Sequence, residues 1–189
     1  MPTDPAERFG QAVAAAVRGD EAAITVLFTE LQPRLLRFLR SQEMRTADDL
    51  AAEVWLGVAR SITTFEGDWD DFRAWVFSIA RRRLADHRRT NARRPTDSVE
   101  ASVLELRPSP ASTEEQALSD VSSQQAVSMI TSVLSGDQAQ VLLLRVLGDL
   151  DADQVAAIME RSSTWVRVTQ HRALRKLADR LGGKVLVTR

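Results

Sequence analysis

Apolar residues recur three or four positions apart along most of the chain, as in "AAITVLFTELQPRLLRFL" (22–39) and "DFRAWVFSIARRRL" (71–84). This is the spacing of one buried face on an α-helix. Sustained alternation of period two, the strand signal, is missing, and so are the Asn-Gly and Asp-Gly pairs that mark tight hairpins. The pattern predicts an all-α protein. Helices are expected at about 5–18, 20–42, 46–64 and 70–94, then at 114–135, 137–147, 151–159 and 163–181. Between the two sets, "PTDSVEASVLELRPSPASTEE" (95–115) combines Pro95, Pro108 and Pro110 with Ser and Thr, a composition that resists packing. The chain is therefore expected to form two small helical domains, 1–94 and 119–189, joined by a flexible linker over 95–118.

The last three helices are short and closely spaced. Ser135 or Asp137 can cap the first, Gly148 falls at its end, Asp151 can cap the second, and Ser162 or Ser163 the third. On a helical wheel the third places Val166, Gln170, Ala173 and Leu177 on one seam. Thr164, Val168, His171, Arg172 and Arg175 lie opposite, with Arg167 on the flank. Residues 161–178 contain no acidic side chain, although a surface helix ordinarily balances Arg with Glu four residues away. An acid-free face opening on the hydroxyls of Ser163 and Thr164 suits a helix-turn-helix whose last helix enters the DNA major groove. Three-helix domains often show such spacing, so this segment alone points to DNA without stating a purpose.

Charge adds a second basic surface. The chain of 189 residues has a net charge of −1, but Lys and Arg exceed Asp and Glu by 7 in residues 72–94 and by 4 in residues 138–189. The acids exceed the bases by 6 in residues 1–71 and again by 6 in residues 95–137. Two separated basic blocks point to two contacts with a polyanion. Arg81 and Arg88 project opposite the expected apolar face of the 70–94 helix, which is formed by Phe72, Trp75, Val76 and Ile79. Arg82 and Arg89 lie on its flank, and Arg93 and Arg94 follow. Arg83 falls awkwardly on the apolar side.

Other classes are set aside. The chain has no cysteine, so disulfides and thiolate metal sites are ruled out, and His87 and His171 are too few to build a metal cluster. No matched nucleophile and base, phosphate-cradling glycine loop or cofactor motif is present, and none is expected, so the chain is expected not to be an enzyme. No apolar run is long enough to cross a bilayer, which with the missing cysteines fits a cytoplasmic protein.

Four stretches taken in order narrow the function. "GDEAAITVLFTELQPRLLRFLR" (19–40), "DDLAAEVWLGVARSITTFEGD" (48–68) and "FRAWVFSIARRRLADHRRTNARR" (72–94) resemble region 2 of the extracytoplasmic-function (ECF) sigma factors, the smallest of the bacterial sigma-70 type. Residues 119–181 resemble their region 4, with "VRVTQHRALRKL" where "VKSRLHRARKRL" is frequent. The resemblance implies that the second of these helices docks on a coiled coil of the polymerase β′ subunit through a motif like "DLVQEVF". Asp48, Asp49, Glu53 and Trp55 stand at or beside it here, with Ala52 in place of the usual Gln. It implies that the loop "FEGDWDD" (65–71) captures a flipped base of the minus 10 element, with Phe65, Gly67 and Trp69 as the pocket; Phe65 and Trp69 are equally suited to anchoring the core. It further implies Arg81, Arg82, Arg88 and Arg89 along the melted strand. Ser163, Thr164, Arg167, Val168, His171, Arg172 and Arg175 are implied on the minus 35 duplex. Core RNA polymerase, through its β′ coiled coil and β flap, promoter DNA and an anti-sigma factor are the expected partners. The linker also lets the two domains fold together in the free chain, an arrangement able to cover both basic faces. The competing reading is a two-domain helix-turn-helix regulator that works without polymerase. A helical adaptor that binds only protein is a third. Trp165 and Gln170 depart from the family pattern and mark where packing or minus 35 preference should differ.

Overall fold

Two aspartates start the fold. Asp4 accepts a hydrogen bond from the Ala6 amide at 3.0 Å and Asp20 from those of Ala22 and Ala23, closing the N-termini of α1 (Pro5–Val17) and α2 (Glu21–Gln42). Pro5 occupies the first turn, where its missing N–H costs nothing. The computed structural model describes the backbone of residues 4–92 and 114–182 and the side chains of 4–92 and 124–182. Most of the expected 95–118 linker, together with Arg93 and Arg94, lies outside the described residues; 114–118 are already helical.

After α2, α3 (Ala47–Ser61) is flanked by single 3₁₀ turns at Met44–Thr46 and Ile62–Thr64, and α4 (Trp69–Ala92) is the longest helix. The core of this N-terminal unit is drawn at helical spacing from α2 (Leu27, Leu31, Leu35, Phe38) and α4 (Phe72, Val76, Phe77, Ala80). Phe38 meets Phe77 edge to face at 5.5 Å. Trp75 and Ile79, expected in this core, are only partly buried, because the buried stripe of α4 runs through Arg73, Phe77 and Ala80 instead.

The C-terminal unit contains α5 (Glu114–Val133), α6 (Gly136–Leu147), α7 (Ala152–Met159) and α8 (Ser163–Arg180). Each break is written in its residues. Asp151 accepts from the Asp153 and Gln154 amides at 2.8 Å while the Gln154 side chain accepts from the Asp151 amide at 2.9 Å, a reciprocal capping box. The chain leaves α7 through Glu160 in the left-handed region (φ 55), with the Arg161 amide bonded back to the Ala156 carbonyl at 3.0 Å. Leu143, Leu144, Leu150, Val155, Val166 and Ala173 fill the space between these helices.

The two units are packed against each other. α2 touches α5 and α6, and α4 touches α7. Among the described residues no helix is long and apolar enough to cross a membrane.

Candidate nucleic-acid interface

α8 is seated by three buried residues, Val166, Thr169 and Ala173, against α6 and α7. Ser162 caps it, its side chain accepting from the Trp165 amide at 3.2 Å. That geometry turns Thr164, Arg167, Val168, His171, Arg172 and Arg175 to solvent on one side, with Ser163 half-exposed at the first turn. All seven residues expected on DNA thus share one surface about 18 Å long, from residue 163 to 175 at 1.5 Å per residue. The two units pack together, and their packing leaves this surface uncovered. Two acids border this surface: Asp179, exposed on α8 itself one turn beyond Arg175, and Asp153 of α7, which lies 3.8 Å from Arg167 with both side chains mostly exposed. Such a pair is worth less than about 1 kcal/mol and yields readily to phosphate.

Two features of α8 were only half-visible in the sequence. Gln170 stands on the apolar seam because Arg145 of α6 needs an acceptor: its Nε donates to Gln170 Oε1 at 3.2 Å, and its guanidinium also donates to the Leu150 carbonyl. The Arg145–Gln170 pair therefore ties the α6–α7 turn to α8 where two apolar side chains would otherwise meet. Trp165 is half-buried, with the Arg161 guanidinium 5.6 Å from its ring, at the edge of the solvent-facing side.

In the N-terminal unit the loop before α4 is shaped by its acids. Asp68 accepts from the Asp70 and Asp71 amides at 2.8 and 3.0 Å, and Asp71 accepts from the Asp68 amide at 3.2 Å. These carboxylates therefore face the helix N-terminus rather than a nucleic acid. Gly67 has φ 143, and a Cβ there would stand 2.6 Å from the Asp71 Cβ. Gly67→Ala should therefore dislodge this cap and destabilise the protein by about 1–3 kcal/mol, measurable as a lower midpoint in urea unfolding.

Trp69 is not presented to solvent at this loop. It is 9% exposed and sandwiched between Phe9 of α1, at 4.6 Å, and Phe72, at 6.1 Å, so it anchors α1 on α4. The aromatic surface reachable at this loop is Phe65 stacked on Trp75 at 5.0 Å, both half-buried. Trp75 was assigned to the core from the helical wheel; it lies instead at the edge of the buried stripe.

Along α4, Arg82 and Arg89 are exposed and Arg81 is half-exposed. Arg89 is paired with Asp86 one turn earlier. Arg88 is exposed as well, and it donates to Glu43 at 3.3 Å and to Gln42 at 3.2 Å, which fastens α4 to the end of α2. Arg83 finds its place facing Glu53 of α3 at 3.8 Å.

α3 presents Asp49, Ala52, Glu53, Leu56 and Arg60 on one exposed stripe. Leu56, overlooked in the sequence, is 56% exposed at its centre. Asp48 is paired with Arg40 at 3.1 Å. Trp55 lies outside the stripe, because its Nε1 donates to Gln32 Oε1 at 2.6 Å and its ring packs on Phe28 at 5.0 Å. These two contacts hold α3 on α2.

Comparison with known proteins bears on both units. Residues 27–94 match the family described as Sigma-70 region 2, and residues 124–177 match Sigma-70, region 4. The chain is 32% identical over 186 residues to the ECF RNA polymerase sigma factor ShbA of Streptomyces griseus, covering 94% of this chain and 97% of that one. It is 30% identical over 181 residues to the ECF RNA polymerase sigma factor SigD of Mycobacterium tuberculosis, covering 93% and 84%. Its fold is similar, with a TM-score of 0.63 at 19% identity, to the sigma factor RpoE crystallised with the anti-sigma factor NepR from Bartonella quintana, over 86% of this chain and 98% of that one.

Proposed function

The chain belongs to the ECF sigma factors of the sigma-70 family, and from that premise we propose how its two units divide the work of promoter recognition. It directs core RNA polymerase to specific promoters and starts transcription there. The observation that carries the residue-level reading is the solvent-facing side of α8, which carries no acid before Asp179 at its C-terminal end, on the same chain as the arginine-bearing α4 and the acidic stripe of α3. Ser163 and Thr164 hold phosphate at the start of α8, and Arg167, Val168, His171, Arg172 and Arg175 read the minus 35 duplex in the major groove. Asp49 and Glu53, with Leu56 between them, dock on the β′ coiled coil. Asp48 joins them by exchanging Arg40 for a partner on polymerase.

At the minus 10 element the Phe65–Trp75 surface takes an unstacked base of the non-template strand, beside the turn that Gly67 permits. Unstacking costs a few kcal/mol, and aromatic stacking worth about 1–3 kcal/mol per base offsets it. Arg81, Arg82 and Arg89 follow the strand backbone. The chain supplies binding and carries out no chemistry of its own. It works in the cytoplasm beside polymerase, and an anti-sigma factor is the partner expected to sequester it.

The test is an electrophoretic shift with a promoter-length duplex. The chain with core polymerase should form a heparin-resistant complex, and the chain alone should bind at least a hundredfold more weakly. A specific nanomolar complex without polymerase would favour the operator-binding regulator instead.

A further inference from the structure

α8 has two edges beside its solvent-facing side, and they differ in charge. At about 100° per residue Arg167 stands on one edge, where Asp153 of α7 lies 3.8 Å away. Trp165, Arg172 and Lys176 stand on the other, within about 40° of one another around the helix. Arg161 joins this second edge from the turn before α8, because its guanidinium lies 5.6 Å from the centre of the Trp165 ring. The edge therefore carries three cations, Arg161, Arg172 and Lys176, spread over about 17 Å at 1.5 Å per residue. All three are exposed, and among the described residues none of them pairs with an acid.

Local geometry ties down Arg161 and Trp165 in advance. Glu160 at φ 55 turns the chain out of α7, and the Arg161 amide donates to the Ala156 carbonyl at 3.0 Å. Ser162 then accepts from the Trp165 amide at 3.2 Å, so both residues start from a fixed backbone. The half-buried Trp165 ring holds the guanidinium by cation–π attraction, which leaves the N–H donors of the arginine unused. The indole N–H likewise has no acceptor among the described residues, and it is not enclosed. Two donors, one charged and one neutral, thus stand side by side without a protein acceptor. Packing accounts for the buried part of the Trp165 ring, but not for an arginine laid against it with no acid beside it.

A helix in the major groove has a phosphate strand along each side, and phosphate oxygens accept from charged and neutral donors alike. We propose that Arg161 and Trp165 form a phosphate clamp, continued by Lys176 along the same edge of α8, that grips the DNA strand bordering the minus 35 element. The proposal rests on the reading of α8 as the minus 35 helix. The clamp takes one phosphodiester group and is blind to base identity. The opposite edge shares its arginine with Asp153, so the firmer hold is on one strand. Asp179, exposed three residues after Lys176, ends the row, because its carboxylate repels a further phosphate.

The test is holoenzyme binding to a promoter duplex, and to the same duplex with a scrambled minus 35 element, by fluorescence anisotropy over a salt series. Arg161→Gln should weaken both complexes about five- to tenfold near about 0.1 M salt and lower the salt slope by about one, as expected for one lost counterion-releasing contact. Trp165→Phe keeps a ring and removes the N–H, so it should weaken both about two- to fivefold with the slope unchanged. A methylphosphonate scan of the bordering strand should find one position where the parent loses affinity and Arg161→Gln does not. An unchanged slope in Arg161→Gln would overturn the clamp, and so would a loss confined to the promoter sequence, which would make Arg161 a base reader. An unchanged slope with weakened binding to core polymerase would also overturn it and assign this edge to an acidic protein surface. If the parent bound both duplexes equally while Arg161→Gln still lowered the slope by about one, the clamp would stand and the minus 35 reading would fall, so the two failures are distinguishable.

Discussion

Trp69→Ala is expected to lower the unfolding free energy by about 3–5 kcal/mol, the range for truncating a large buried aromatic side chain. Its ring is sandwiched between Phe9 and Phe72 and covered by Arg73, so its loss opens a cavity where α1 meets α4. Urea unfolding followed by circular dichroism measures the effect. Phe65→Ala and Trp75→Ala provide the contrast, since both rings are half-exposed and face the surface rather than α1. They should cost less stability than Trp69→Ala and should instead reduce open-complex formation, read by permanganate reactivity of unpaired thymines. Near-normal stability of Trp69→Ala, with a loss confined to promoter melting, would return Trp69 to the DNA-binding surface.

On the other unit, Arg172→Ala and Arg175→Ala should each weaken binding to a minus 35 duplex by about 1–3 kcal/mol, or five- to 150-fold. Both side chains are exposed on the solvent-facing side of α8, so the unfolding free energy should stay within about 0.5 kcal/mol of the parent. Fluorescence anisotropy with holoenzyme over a salt series separates their roles. A phosphate contact lowers the salt slope by about one, whereas a base contact relaxes sequence preference. Equal affinity of parent and variants at every salt concentration would mean that another face of α8 meets DNA.

Much of this architecture was legible in local chemistry. Asp4, Asp20, Asp151 and Ser162 announce the starts of four helices, and each makes the capping hydrogen bond its type predicts. The surface of α8 was legible because a wheel with a small, apolar seam leaves little choice about which side faces out. What the sequence concealed depends on partners far along the chain. Trp69 is buried by Phe9, sixty positions earlier. Arg73 lay within a block read as a nucleic-acid surface, yet its partner is Asp149, 76 residues later. Arg88 belonged to the same block and is held by Gln42 and Glu43. A run of arginines states how much positive charge a helix carries. Which of those charges face DNA is decided by the acids and amides that neighbouring helices bring to it.

The same distinction explains why the docking surface on α3 changed. Its acidic positions follow from the motif, but the neighbouring helices set which remain free. Asp48 and Glu53 already face Arg40 and Arg83, Trp55 is tied to Gln32, and Leu56 is left exposed between Asp49 and Glu53. Docking as proposed would combine a small apolar contact with charges that change partners.

The central claim, promoter-specific initiation by this chain on core polymerase, is tested most directly by transcription in vitro from a library of genomic fragments with purified core enzyme. The account predicts transcripts from a discrete set of fragments sharing one minus 35 and one minus 10 sequence, absent with core enzyme alone and strongly reduced by Arg172→Ala. Transcription no greater or more selective than that of core enzyme alone would contradict it.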